Sequence, residues 1–145
     1  MEIMLLAVGK TKTQWVVAGI QEYCKRLVNY IPFQFVELPD IKNSKSLSEQ
    51  QQKQKEGEVI LSRISASDHL ILLDERGREY TSIELSGVMQ KHMASGKKRL
   101  VFVIGGPYGF SPDVYSRADG KISLSKMTFN HEMVRVFFIE QLYRE

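Results

Sequence analysis

Leu100-Val-Phe-Val-Ile104 is an unbroken apolar run that empties straight into Gly105-Gly-Pro-Tyr-Gly109. A short apolar run rich in valine and bounded by glycine reads as a buried strand. The glycines behind it let backbone amides approach a ligand closely and reach positive φ without strain. Farther on, Leu124, Ser125, Lys126, Met127, Thr128 and Phe129 form a second loop, which leads into the last helix. Two such loops in the final third of a small chain point to a ligand held by main-chain groups, of the nucleotide-like or adenosyl kind.

The rest of the sequence repeats the strand-then-helix pattern. Ile3-Met-Leu-Leu-Ala-Val8 reads as a first buried strand ended by Gly9. Across 13–30, Val16, Ile20, Tyr23, Leu27 and Tyr30 recur at helical spacing, and Pro32 ends that helix. Phe33-Gln-Phe-Val-Glu-Leu38 is the second strand. Residues 40–58 are polar and rich in lysine and glutamine; Ser46-Leu-Ser-Glu49 has the capping-box pattern for a solvated helix there.

His69-Leu-Ile-Leu-Leu73 is the third strand, with Asp74 at its end. Thr81-Ser-Ile-Glu84 opens a helix that stops near Ser95-Gly96. Ser111-Pro112 caps a short helix. Lys121-Ile-Ser-Leu124 is a last short strand, and a helix over 130–143 follows. Such alternation predicts an α/β fold, a mostly parallel sheet with helices on both faces. In sheets of that kind ligands bind beyond the carboxyl ends of the strands, where Leu73, Gly105, Gly106 and the 124–129 loop would meet.

With 145 residues, there is enough chain for one domain with a continuous core. The apolar runs are strand-sized and no basic leader stands at the start, so no membrane is expected. A lone cysteine, Cys24, cannot form an internal disulfide, which fits a cytoplasmic location. The net charge of +3 permits a nucleic-acid partner without demanding one.

Several motifs fail on inspection. Gly9-Lys10-Thr11 resembles the end of a phosphate-binding loop, but Met4 stands where the earlier glycine is needed. The 105–109 glycines are not spaced as a dinucleotide fingerprint, which argues against a nicotinamide-dependent oxidoreductase. His69, His92 and His131 are scattered with no cysteine pair, so no metal is expected. The Glu56/Glu58 pair reads as surface charge. His131, in the first turn of the last helix, and Arg135, one turn on, are the candidate catalytic pair; Arg135 could hold a carboxylate or phosphate. Met133, Val134, Val136, Phe137, Phe138, Ile139, Leu142 and Tyr143 make that helix apolar nearly all round, which predicts a homodimer. A non-enzymatic RNA-binding α/β domain that uses the basic 40–58 segment is the alternative reading.

Leu5-Leu-Ala-Val-Gly9, Val103-Ile-Gly-Gly-Pro-Tyr-Gly109, Ser123-Leu-Ser-Lys-Met-Thr128 and His131-Glu-Met-Val-Arg135, with Glu140-Gln-Leu-Tyr-Arg144 behind them, resemble the ribosomal RNA large subunit methyltransferase H family of the SPOUT class. The resemblance runs in order from Met1 to Arg144. It implies one SPOUT domain over 1–145, with a trefoil knot at roughly 70–145, an exception to the rule against knotted chains. It further implies a homodimer that uses S-adenosylmethionine to methylate N3 of a pseudouridine in 23S rRNA, free or in the ribosome. The cofactor contacts it implies fall on Leu73, Gly105 and the loop from Leu124 through Ser125, Lys126, Met127 and Thr128 to Phe129; Gly106 joins them as the second glycine that would admit the cofactor. Family members continue about a dozen residues past this point into an aromatic, histidine-rich tail that helps close the site.

Overall fold

The alternation predicted from the sequence is the architecture observed. A computed structural model of the protein describes residues 2–41, 44–125, 127 and 129–144. Its elements follow in the order β1 (Glu2–Val8), α1 (Gln14–Leu27), β2 (Phe33–Leu38), a 3-10 turn (Ser44–Ser46), α2 (Glu49–Leu61), β3 (His69–Glu79), α3 (Ser82–Ala94), β4 (Arg99–Ile104), α4 (Pro112–Arg117), β5 (Gly120–Ser123) and α5 (Met133–Arg144). All strand pairings are parallel, in the order β2-β1-β4-β3-β5.

Strand side chains alternate between two apolar layers. Leu5, Phe102 and Ile104 face a layer that includes Val16 and Ile20 of α1, Leu85 and Met89 of α3, and Phe138, Ile139 and Leu142 of α5. Leu6, Leu72 and Val103 face the other layer, with Ile60 of α2 and Val114 of α4. Central strands β1 and β4 are therefore buried on both sides, which is why they read as continuous apolar runs. Their carboxyl ends, with that of β3, all point to one edge of the molecule.

Four boundaries differ from the sequence reading by more than one residue. The α2 cap is Ser48, not Ser46: Ser48 Oγ accepts from the Gln51 amide at 3.1 Å and Gln51 Oε1 accepts from the Ser48 amide at 2.9 Å. Helix α1 stops at Leu27, and Tyr30 beyond it is exposed. Helix α5 begins at Met133, with Asn130 Oδ1 accepting from the Glu132 and Met133 amides just before it. Most consequentially, β3 does not end at Asp74. It leaves register after Leu73, pairs again with β5 at Arg78, and runs to Glu79. Gly77 makes that excursion possible, since a Cβ there would lie 2.6 Å from the Ile122 amide nitrogen. The Glu56/Glu58 reading also changes, because Glu56 is buried on the inner face of α2 beside Gly57 and Ile60.

A candidate ligand site at the carboxyl edge of the sheet

The carboxyl ends of β3, β4 and β5 open onto a hollow of about 380 Å³. Its wall includes Leu73, Gly105, Gly106, Leu124, Ser125, Met127, Phe129 and His131. The structure thus gathers residues named from four separate stretches of sequence around one space. Lys126 and Thr128 of the same loop lie outside the described residues. Gly105 follows the last residue of β4 and must be small, as a Cβ there would meet the Phe110 ring at 3.0 Å. Gly105 and Phe110 thus pack closely in the wall of a hollow whose size lies within the roughly 300–1,000 Å³ of small-molecule sites.

Sequence reasoning brought Asp74 to this wall as the end of β3 but missed its partner there, Tyr115. The β3 excursion brings Asp74 to the rim, where Oδ1 accepts from the Arg76 amide at 2.8 Å and Oδ2 accepts a short hydrogen bond from the Tyr115 hydroxyl. Burial, reinforced by that bond to Asp74, pushes the Tyr115 phenol up to about 12, so it remains a donor at physiological pH. Nothing in the local sequence ties Tyr115 to Asp74, 41 positions apart.

Arg135 is put to a different use from the one expected. It is only 1% exposed. One terminal nitrogen donates to Thr11 Oγ1 at 2.6 Å and Glu37 Oε2 at 3.1 Å; the other donates to the Val8 carbonyl at 2.8 Å. The Thr11 amide also donates to Glu37 Oε2, at 2.5 Å. The guanidinium therefore clamps the ends of β1 and β2 to α5, and is not a free cation for a carboxylate or phosphate. Its Nε has no partner among the described residues.

Behind Gly106 and Pro107 lies a second hollow of about 340 Å³, to which His131 also belongs. Lys10 and Lys12 line it from the loop after β1, a loop held in place where Glu132 Oε1 accepts from the Thr13 amide at 3.0 Å. Glu56 lies in its wall, with Oε2 accepting from Gln52 Nε2 at 3.1 Å. Burial raises the Glu56 carboxyl above the ordinary glutamate range; the Gln52 bond pulls it back and Asp40 pushes it further up.

Elsewhere, His69 and His92 pack ring to ring at 4.1 Å, far from the glycine loops in the fold. Burial, then the neighbouring His69, lowers the His92 pKa. Among the described residues no group of acidic, histidine or cysteine side chains could hold a metal ion. No helix among them is long and apolar enough to cross a membrane. On α5, Val136 and the exposed Phe137 border an apolar groove shared with Tyr23, Tyr80 and Leu85.

Comparison with known proteins points the same way. A family model described as "Predicted SPOUT methyltransferase" matches residues 1–145. The sequence is 60% identical over 144 residues to a "Ribosomal RNA large subunit methyltransferase H" from Flavobacterium johnsoniae, covering 99% of this chain and 92% of that protein. Proteins with the same description from Parabacteroides distasonis and Porphyromonas gingivalis are 56% and 52% identical over the same shares.

Proposed function

This chain belongs to the SPOUT methyltransferase family, and from that footing we propose that it methylates N3 of a pseudouridine in 23S ribosomal RNA with S-adenosylmethionine as donor. The observation that carries the reading is the hollow at the ends of β3, β4 and β5, where Leu73, Gly105, Gly106 and the 124–129 loop converge.

S-adenosylmethionine supplies a methyl carbon bonded to a sulfonium, open to in-line displacement by a nitrogen lone pair. The protein's part is alignment and proton handling. Main-chain groups of the loop formed by Leu124, Ser125, Lys126, Met127, Thr128 and Phe129 read the adenine. Gly105 and Gly106 admit the body of the donor because they carry no side chain, and Leu73 packs against it. His131 stands in the wall of both hollows, so it is the side chain suited to take the N3 proton as the nitrogen becomes nucleophilic. The terminal nitrogens of Arg135 hold the start of α5 and the Lys10 loop on a common base.

Three further features belong to this reading. The chain pairs as a homodimer across the α5 groove around Phe137. Lys10 and Lys12 meet RNA phosphates. The segment beyond β4 is threaded as a trefoil, in keeping with β3 lying between β4 and β5 in the sheet. Calorimetric titration with S-adenosylmethionine and its demethylated product tests the whole. Stoichiometric binding is expected; RNA binding with no affinity for either compound would replace the enzyme with an RNA-binding domain.

A further inference from the structure

Glu56 is a polar group that the fold itself does not explain. It is 5% exposed, and its Oε1 has no hydrogen-bond partner among the described residues. An unpaired buried oxygen keeps its desolvation penalty with no hydrogen bond to offset it. The carboxylate rests against Gly106, where a Cβ would lie 2.6 and 2.7 Å from its two oxygens. Glu56 therefore sits directly under the backbone that separates the two hollows, and it forms part of the wall of the second. Arg135, whose Nε is the other unpaired buried polar atom among the described residues, belongs to the same wall.

Charge in this second hollow is balanced. Lys10, Lys12 and Arg135 face Asp40, Glu56 and Glu132, with His131 at the boundary. With three cations and three carboxylates the lining as a whole has no net charge to draw a phosphate inside, beyond what Lys10 and Lys12 hold of the RNA backbone. One unpaired acceptor and one unpaired N–H donor fit a neutral heterocycle that offers an N–H next to a carbonyl. Pseudouridine has that edge in N1–H and O2, because its ribose is attached through C5. Uridine, whose N1 carries the sugar, has only N3–H beside its carbonyls, and a base held by that edge would have its methylation position engaged. With N1–H and O2 held in the second hollow, N3 lies on the other side of O2.

We infer that the second hollow receives the target nucleobase and that Glu56 is its specificity-determining residue: Oε1 accepts N1–H, and Arg135 Nε donates to O2. The inference rests on the ribosomal RNA methyltransferase reading above and names how its substrate is told from uridine.

The test measures methyl transfer from S-adenosylmethionine to rRNA substrates carrying pseudouridine, uridine or N1-methylpseudouridine at the target position. The wild-type chain should favour pseudouridine over both others by about 100-fold or more, as sites built to bond a specific N–H do. Glu56→Met should bring pseudouridine and uridine within about threefold of each other by losing rate on pseudouridine, while donor affinity by calorimetry stays unchanged. Glu56→Gln, whose amide oxygen still accepts, should keep a preference of roughly tenfold. A wild-type chain indifferent to the three bases overturns the inference without any variant needing to fold. So does a Glu56→Met protein that keeps the wild-type preference. A wild-type chain that neither binds the donor nor methylates any substrate defeats the enzyme reading itself, and this inference with it.

Discussion

Arg135 donates to the hydroxyl of Thr11 at 2.6 Å across 124 positions of sequence, and so ties the last helix to the loop behind the first strand. Lys10, beside Thr11, and His131, just before that helix, both line the second hollow.

Removing this guanidinium should therefore cost the fold and not only the reaction. Arg135→Ala takes a donor from the Thr11 hydroxyl, the Val8 carbonyl and the partly exposed Glu37 carboxylate, which keeps the Thr11 amide, and should lower unfolding stability by about 1–3 kcal/mol in urea titration. Arg135→Lys cannot reach all three acceptors and should recover only part of it. His131→Ala, by contrast, changes an exposed side chain and should move stability by roughly 0.5 kcal/mol or less while methyl transfer falls sharply. Equal stability losses in the two variants would contradict this division of labour.

Gly105 offers a sharper separation of fold from binding. A side chain there would press on the Phe110 ring, at 3.0 Å, in the wall of the hollow. Gly105→Val should abolish S-adenosylmethionine binding in calorimetry while circular dichroism still reports a folded protein. Unchanged affinity would move the donor site elsewhere.

Two carboxylates should respond to pH in opposite directions. Burial opposes the charge of Asp68, but Arg99, at 2.5 and 3.0 Å, and the Ser65 amide outweigh it, so its pKa is lowered. Stability from that pair is present above the unfolded-state value near 4 and is lost as pH falls through the lower folded value. Glu56 is raised by burial first, so its contribution is present below its unfolded value and is lost as pH rises through the folded one. Thermal melts should show Asp68→Asn losing stability chiefly above pH 4, and Glu56→Gln gaining it chiefly near neutrality. Parallel pH profiles for the two variants would refute these assignments.

The groove beside Phe137 predicts oligomeric state. Phe137→Glu places a charge on the exposed apolar face of α5 and should shift the protein from dimer to monomer in sedimentation velocity. A dimer unaffected by this change would have its interface on another face.

The strands were legible because β1 and β4 are covered on both sides and so carry unbroken apolar runs. The glycine loop that lines the candidate site was legible for a related reason: glycines directly after such a run leave few uses but a turn or a close approach. The 74–79 half of β3 was not legible. Its Asp-Glu-Arg-Gly-Arg-Glu sequence has the composition of a loop, and only main-chain pairing with β5 makes it a strand. Ser46 and Ser48 both begin a capping-box pattern, and the 3-10 turn ahead of α2 selects the second. Glu56 looked solvated because a charged residue two positions away suggested a polar face. Gly57 and Ile60 mark the inner face of that helix, and position 56 lies on it.

The donor hollow has walls drawn from both sides of the sheet's last crossing, with Leu73 on β3 and the 124–129 loop after β5. During synthesis, a nascent chain that has produced β1 through β4 possesses the centre of the molecule but no chamber for the methyl donor. The hollow is thus complete only once β5 and the loop behind it have joined the sheet, so its formation reports late tertiary assembly and not the early strands.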